Sequence, residues 1–400
     1  MNKTFDVVIV GAGITGLTVA ALLAQSPQSS RLRLTVIDAA ARPVFSADDD
    51  VALRVSAVAL GSAALLESVG AWEFVRGSRV GAYDRMRVWD ESGHADSSAA
   101  LSFDAAEFAV PQLGFIVENV LLQQALLNVL DNSDVELIFE APISALQEEG
   151  QKYRVAIENR NFDADLVIGA DGARSFVRKS VAISTRDWPY GQSAIVTHLT
   201  PEKPHQNTAW QRFLRDGPLG MLPLSDGRIS VVWSTGEKIA EQALTASDEE
   251  LGEMLSAASD YVLGALTVAG PRGAFPLVAR HAEKYVLPGI ALIGDAAHAV
   301  HPLAGQGANL GLQDAAVLAQ VISTALAKDE CPGDRPVLRR YERERKGENA
   351  QMMHLMTGLN RLFATDSTLV RELRVIGMRL FNNSGPIRDR AVKVALGVGQ

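Results

Sequence analysis

Three glycines spaced as Gly11-x-Gly13-x-x-Gly16, answered by an acid at Asp38, are the first residues in the chain whose spacing implies chemistry. In such a pattern the first glycine permits a tight turn, the second lets backbone approach a pyrophosphate, and the third lets a helix pack closely on a strand. The helix start, with Ile14 and Thr15 in its first turn, directs free N–H groups and the positive end of its dipole at the phosphates. Asp38 is placed to accept hydrogen bonds from ribose hydroxyls, and its charge disfavours a 2′-phosphate. That narrows the ligand to FAD or NAD rather than NADP. The plain alternative is a glycine-rich turn without a ligand, and the flanking strand and helix argue against it.

A second set separates FAD from NAD. Ile290–Ile293 leads into Gly294-Asp295-Ala296-Ala297-His298, then His301-Pro302-Leu303-Ala304-Gly305-Gln306-Gly307-Ala308-Asn309-Leu310-Gly311. A strand, an acid, a glycine-rich loop and a helix recur far from the first set. A simple NAD dehydrogenase has no need of them, whereas the ribityl chain and isoalloxazine of FAD extend well beyond the pyrophosphate. Asp295 suits a ribityl hydroxyl. The helix start at Gly307, Ala308 and Asn309 offers N–H groups to the flavin pyrimidine edge and stabilises negative charge there. His298 and His301 lack a third ligand in their loop, so hydrogen bonds that hold the loop are expected of them and a metal is not.

The elements that must position these residues follow from periodicity. Phe5–Val10, a helix from Ile14 to Gln25 and the strand Arg33–Ile37 form one β-α-β unit. Residues 115–130 read as a helix. Strands are expected at Val135–Phe139, Tyr153–Ile157 and Asp165–Ile168, the last ending in Gly169-Ala170-Asp171-Gly172. From about 185 to 280 short strands between Pro, Gly and Asp turns predict an antiparallel sheet: Gln192–Leu199, Ala209–Leu214, Leu219–Leu224 and Ile229–Ser234. Within it, alternate members of Trp210, Arg212 and Phe213 face either a ligand or the sheet core. Ser247 and Glu250 have the form of a capping box for a helix over Asp248–Ala258. A long helix runs from about Asn309 to Ala327. The fold class is therefore α/β: a Rossmann-like domain (1–75, 110–182 and 283–345) interrupted by a β-rich substrate domain (76–109 and 183–282). A helical segment (346–400) follows, rich in Met and Arg, which reads as a cover on the main domain or as a membrane or partner surface.

Composition sets limits on partners. A formal charge of -9 implies no strongly basic face, so nucleic acid is not an expected partner. The single cysteine, Cys331, rules out an intrachain disulfide and fits a reducing, cytoplasmic setting. No signal peptide and no uncharged apolar stretch of about 18 residues is seen, so a spanning segment is not expected.

On these motifs the sequence resembles the single-component flavoprotein aromatic hydroxylases, the p-hydroxybenzoate hydroxylase group, and within it the ring hydroxylases of ubiquinone biosynthesis. The matching stretches are Arg54-Val55-Ser56-Ala57, Val117-Glu118-Asn119, Gly169-Ala170-Asp171-Gly172-Ala173-Arg174-Ser175, Gly294–His298 and His301–Gly307. Asn119 departs from the broad group, where many members carry a basic residue. The resemblance implies that NAD(P)H reduces FAD, that O2 adds to form a C4a-hydroperoxide, and that an electron-rich phenol ring attacks its distal oxygen. It implies further that Arg54 contacts the FAD pyrophosphate rather than forming a surface salt bridge. Asp171 and Gly172 then lie where FAD and the nicotinamide cofactor meet, and Pro302 and Gln306 line the flavin near the reacting ring. The implied substrate is a polyprenylated phenol. Implied with it are a peripheral position on the inner membrane, other ubiquinone-biosynthesis proteins as partners, and a homo-oligomer. Two other readings fit the same residues: another FAD enzyme (a small-phenol hydroxylase or prenyl-lipid reductase), or an FAD-stabilised scaffold subunit.

Overall fold

A computed structural model describes residues 3–301, 306–365, 368–382 and 384–397. Its central sheet has the strand order Val286–Leu287, Ile290–Leu292, Leu166–Gly169, Phe5–Val10, Leu32–Ile37, Glu136–Ile138. All neighbours are parallel except the hairpin of the first two. Phe5–Val10 sits in the middle of the sheet and is almost wholly buried, which is why it reads as a continuous apolar run rather than an alternating one. Its carboxyl end, where ligands collect in open α/β sheets, carries the glycine loop.

The eight-stranded sheet is mostly antiparallel, with Thr208–Leu214 running parallel to Arg85–Asp90 as the exception. Two of its strands, Thr185–Pro201 and Leu266–Ala282, are each 17 residues long. The short strand His298–Ala299 pairs with the second of them, so the chain leaving Asp295 is stitched directly to this sheet. Side-chain parity divides its faces. Ile195, Leu219, Met221, Val231 and Trp233 are buried with Leu251 and Leu255 of the helix Asp248–Ala258. That helix carries both bonds of the expected Ser247–Glu250 capping box.

One expected helix is shorter than the reading at 115–130. Gly114–Glu118 is a strand, paired on both sides with Val55–Ala59 and Gly81–Tyr83, and the helix begins at Asn119. A fully buried run of five with Ile116 and Val117 suits a strand flanked by partners, which helical spacing does not distinguish. The C-terminal helices Arg335–Ala364, Thr368–Asn382 and Pro386–Leu396 cover the β-rich sheet as well as the central domain. Met356, Phe363 and Met378 pack on Val88 and Phe213, and Val392 and Leu396 pack on Ala105 and Leu113. Among the described residues one helix, Gly307–Ala327, is long and apolar enough to cross a membrane; here it packs between the first helix and Arg335–Ala364.

Candidate active site

A single cavity of about 2020 Å³ runs from the glycine loop to the inner face of the eight-stranded sheet. Gly11, Gly13, Ile14, Thr15 and Asp38 line one part of it, and Arg54, Asp171, Gly172, Asp295, Gly307, Ala308 and Asn309 line the adjoining part. Gly16 packs beneath the loop: a Cβ there would lie 2.0 Å from the Gly11 carbonyl oxygen. Gly11 has φ +106°, and a Cβ on it would lie 2.4 Å from the Ala170 carbonyl oxygen. A Cβ on Gly13, by contrast, would meet nothing within 4 Å. Two glycines thus close the packing and the third faces open cavity. The first helix, Ile14–Ala24, has no side-chain cap and no acid in its first turn, so its leading N–H groups are available to an anion.

The acids take three different positions. Asp38 accepts from Ala12 N–H at 2.5 Å and Ala40 N–H at 2.7 Å, so it braces the glycine loop while lining the cavity. Asp171 caps a short helix by accepting from Phe176 and Val177 N–H with Oδ2, while its Oδ1 is buried without a partner. Asp295 lines the cavity and is exposed there. Desolvation by the surrounding protein pushes its carboxyl above the usual range, against the opposing pull of His298, Arg54 and Arg280. Among the described residues Arg54 has no side-chain hydrogen-bond or ion-pair partner, and it stands exposed at the cavity wall. An uncapped helix end, an open glycine, an unpartnered carboxylate oxygen and a free guanidinium fit the diphosphate and hydroxyl groups of FAD.

The second loop is held by residues that the motifs do not mark. Asp314, fully buried, accepts from Gly294 N–H at 3.0 Å and pairs with His298 Nε2 at 2.5 Å. Its other oxygen accepts from Arg345 Nε at 2.9 Å and Asn349 Nδ2 at 3.0 Å. Burial alone would raise its carboxyl; His298 and Arg345 outweigh that and hold it below the usual range. The signal for Asp314 was its place as the one charged residue in the apolar helix Gln306–Ala327. Arg178 ties the two acid-bearing loops together, donating to Ala173 O at 2.9 Å and Ala296 O at 2.7 Å. Asn309 uses its side chain on Ala57 and Ala59, pinning the helix start to the strand Val55–Ala59. Glu118 accepts from Ala52 N–H and pairs with Arg79, which positions the segment before Arg54. Asn119 accepts from Ser56 Oγ at 2.7 Å.

The two histidines expected to hold the loop differ. His298 does so through Asp314, whereas neither ring nitrogen of His301 has a partner among the described residues. Pro302 lies outside the described residues, as does the side chain of Gln306. In the β-rich sheet, Ala194, Val196, Ala209, Gly220, Val232 and Ser234 line the cavity with small or apolar groups, beside the polar Gln211. Arg212 turns away and donates to Ala257 O and Ala258 O. Phe213 stacks on Phe363 at 3.9 Å, and Trp210 packs against the helix-side core and also lines the cavity.

Comparison with known proteins agrees with this geometry. Residues 4–355 match the family described as FAD binding domain. The 3-demethoxyubiquinol 3-hydroxylase of Escherichia coli is 36% identical over 400 residues, covering 99% of this chain and 100% of that protein. The mitochondrial ubiquinone biosynthesis monooxygenase COQ6 of Danio rerio is 33% identical, covering 98% of this chain and 90% of the other. Among solved structures, Klebsiella pneumoniae HpxO complexed with FAD and uric acid superposes with a TM-score of 0.74. Its identity is 18%, covering 99% of this chain and 97% of that one, a likeness of fold.

Proposed function

Since the chain belongs to the FAD binding domain family, we propose that it is an FAD-dependent monooxygenase that hydroxylates the aromatic ring of a polyprenylated phenol in ubiquinone biosynthesis, with NAD(P)H and O2 as co-substrates. The observation that carries the reading is the one cavity joining the glycine loop and Asp295 to a small-residue, apolar sheet face. Its support in sequence is the end-to-end similarity to ubiquinone-biosynthesis hydroxylases.

FAD, when bound, supplies hydride acceptance and oxygen activation. The chain's own groups do the rest. Gly11, Gly13, Ile14, Thr15 and Arg54 receive the diphosphate, on a loop that Gly16 supports from beneath, and Asp38 receives the ribose. Asp295 receives the ribityl hydroxyls, and the N–H groups at Gly307, Ala308 and Asn309 receive the flavin ring edge. Asp171 and Gly172 form the wall at which NAD(P)H approaches. By the family resemblance, Pro302 and Gln306 are assigned to positioning the phenol ring. The apolar lining from Val196, Leu222 and Val232 excludes water from the reacting ring.

Phe381, Val392 and Leu396 of the C-terminal helices border the same cavity, while Leu355, Leu362, Ile376, Leu380 and Val394 are exposed on those helices. That arrangement supports peripheral contact with the cytoplasmic face of the inner membrane, where a prenyl lipid resides, and contact with further copies or other proteins of the pathway. The test is NAD(P)H oxidation by the purified holoprotein. Stimulation by a prenylphenol with one oxygen incorporated into the ring is expected. Equal turnover of simple phenols would replace the reading with that of a small-phenol hydroxylase. NAD(P)H oxidation that no phenol stimulates would end it.

A further inference from the structure

His301 is only 1% exposed, yet both of its ring nitrogens lack a hydrogen-bond partner among the described residues. No other histidine among the described residues has both nitrogens in that state. An unsatisfied buried polar group lowers stability, and native proteins keep one mainly where a ligand or bound water completes it. The ring is held in place from one side: Tyr190 packs edge-on at 4.9 Å, and the Tyr190 hydroxyl is fixed by Thr357 Oγ1 at 2.8 Å. His301 borders the cavity together with Ala299 and Val300, two residues past the short strand His298–Ala299 by which the chain from Asp295 joins the β-rich sheet. It therefore stands where the cofactor part of the cavity meets the apolar part.

Resting on the reading of the substrate as a phenol, we propose that His301 hydrogen-bonds the ring hydroxyl of that phenol and so sets the orientation of the ring. A phenol oxygen has a proton to donate and lone pairs that accept; a neutral imidazole has one nitrogen of each kind. Burial pushes the His301 imidazole down to about 4, so at neutral pH the ring is uncharged and keeps its accepting nitrogen. Accepting the phenol O–H shifts electron density into the aromatic ring, which favours its attack on an electrophilic oxygen.

The experiment uses the FAD-loaded protein with His301→Leu and His301→Gln. FAD affinity is read from flavin fluorescence, and melting temperature is measured without substrate. Binding of a short-chain prenylphenol and of its O-methyl ether is read from flavin absorbance. His301→Leu is expected to keep FAD affinity within about twofold and to melt no lower than wild type, because it removes two buried unsatisfied nitrogens. It is expected to bind the phenol about tenfold more weakly or worse and the ether as wild type does, with His301→Gln between the two. A tenfold loss of FAD affinity would assign the nitrogen to the cofactor and overturn the proposal. So would equal loss of phenol and ether, or a lower melting temperature with phenol preference intact, since either makes the role steric or structural. A wild-type protein that binds FAD but neither ring compound would overturn the substrate class itself and the assignment with it.

Discussion

The loop at Gly11–Gly16 and the loop after Gly294 line one cavity, but they are held by different means. The first is shaped mainly by backbone, with Asp38 as a brace at Ala12 N–H: Gly11 N–H bonds Ile37 O at 2.8 Å, and two positions admit no Cβ. The second is shaped by a buried ionic cluster in which Asp314 bonds Gly294 and His298 and is itself held by Arg345 from a separate helix. A loop set by steric exclusion is specified within a few residues of sequence. A loop set by buried charges is specified by tertiary structure, because each charge is tolerated only when its partners arrive.

The largest effect is expected where steric exclusion is broken. Gly16→Ala places a Cβ into the Gly11 carbonyl, and Gly11→Ala adds the cost of φ +106° for a residue with a side chain. Either change should cost more than about 4 kcal/mol, the range of severe core defects. Purification of the variants should yield little folded protein and no bound FAD. A Gly11→Ala protein that retains full flavin content would break the comparison.

Arg345→Met tests the second loop. It leaves the Asp314 carboxylate buried with fewer partners, and breaking such a pair costs about 3–5 kcal/mol. The double variant Arg345→Met, Asp314→Leu should recover part of that loss, whereas no second substitution should rescue Gly16→Ala. Denaturant unfolding of the single and double variants, read as a cycle, would show coupling near zero if the ionic cluster did not hold the loop.

The same division explains what was legible beforehand. The glycine loop, Asp38, the strand before Asp295 and the Ser247–Glu250 capping box all depend on neighbours in sequence, and each stands where the spacing put it. The helical reading of 115–130 takes in the last four residues of the strand Gly114–Glu118 because the burial of that strand comes from two strands outside the window, at Val55–Ala59 and Gly81–Tyr83. Which of Trp210, Arg212 and Phe213 would face the cavity turned on sheet parity and on Phe363, a residue in another element. Arg345 was invisible as a site residue because it lies in a run of charges whose other members are mostly exposed.

A smaller effect should appear with pH. Burial, reinforced by nearby His298 and Lys346, pushes His281 down to about 4, as burial does His301. In the unfolded chain both titrate near the ordinary value of about 6.5. Between those values the unfolded state binds more protons, so their contribution is complete above about pH 6.5 and is lost as pH falls toward 4. Each histidine contributes at most about 3 kcal/mol to that slope. Denaturation midpoints measured across this window should show a shallower slope for His301→Leu than for wild type; an unchanged slope would remove His301 from the explanation.

The smallest effect on stability is expected at the one glycine of each loop that faces open cavity. A Cβ on Gly13 or on Gly307 meets nothing within 4 Å, and neither residue has a positive φ. Gly307→Ala lies in the first turn of the helix Gln306–Ala327, where alanine should be neutral or stabilising by up to about 1 kcal/mol. Gly13→Ala should lie within about 0.5 kcal/mol of wild type, the range of substitutions that touch nothing. Both methyl groups enter the space assigned to FAD, so flavin affinity should fall while the fold persists. The expected loss is larger at Gly13, where backbone must approach the diphosphate closely. Together with Gly16→Ala, these variants separate the two uses of glycine in one cavity. If Gly13→Ala bound FAD as tightly as wild type, the open space at that position would not be where the diphosphate sits, and the assignment of the first loop would have to be redrawn.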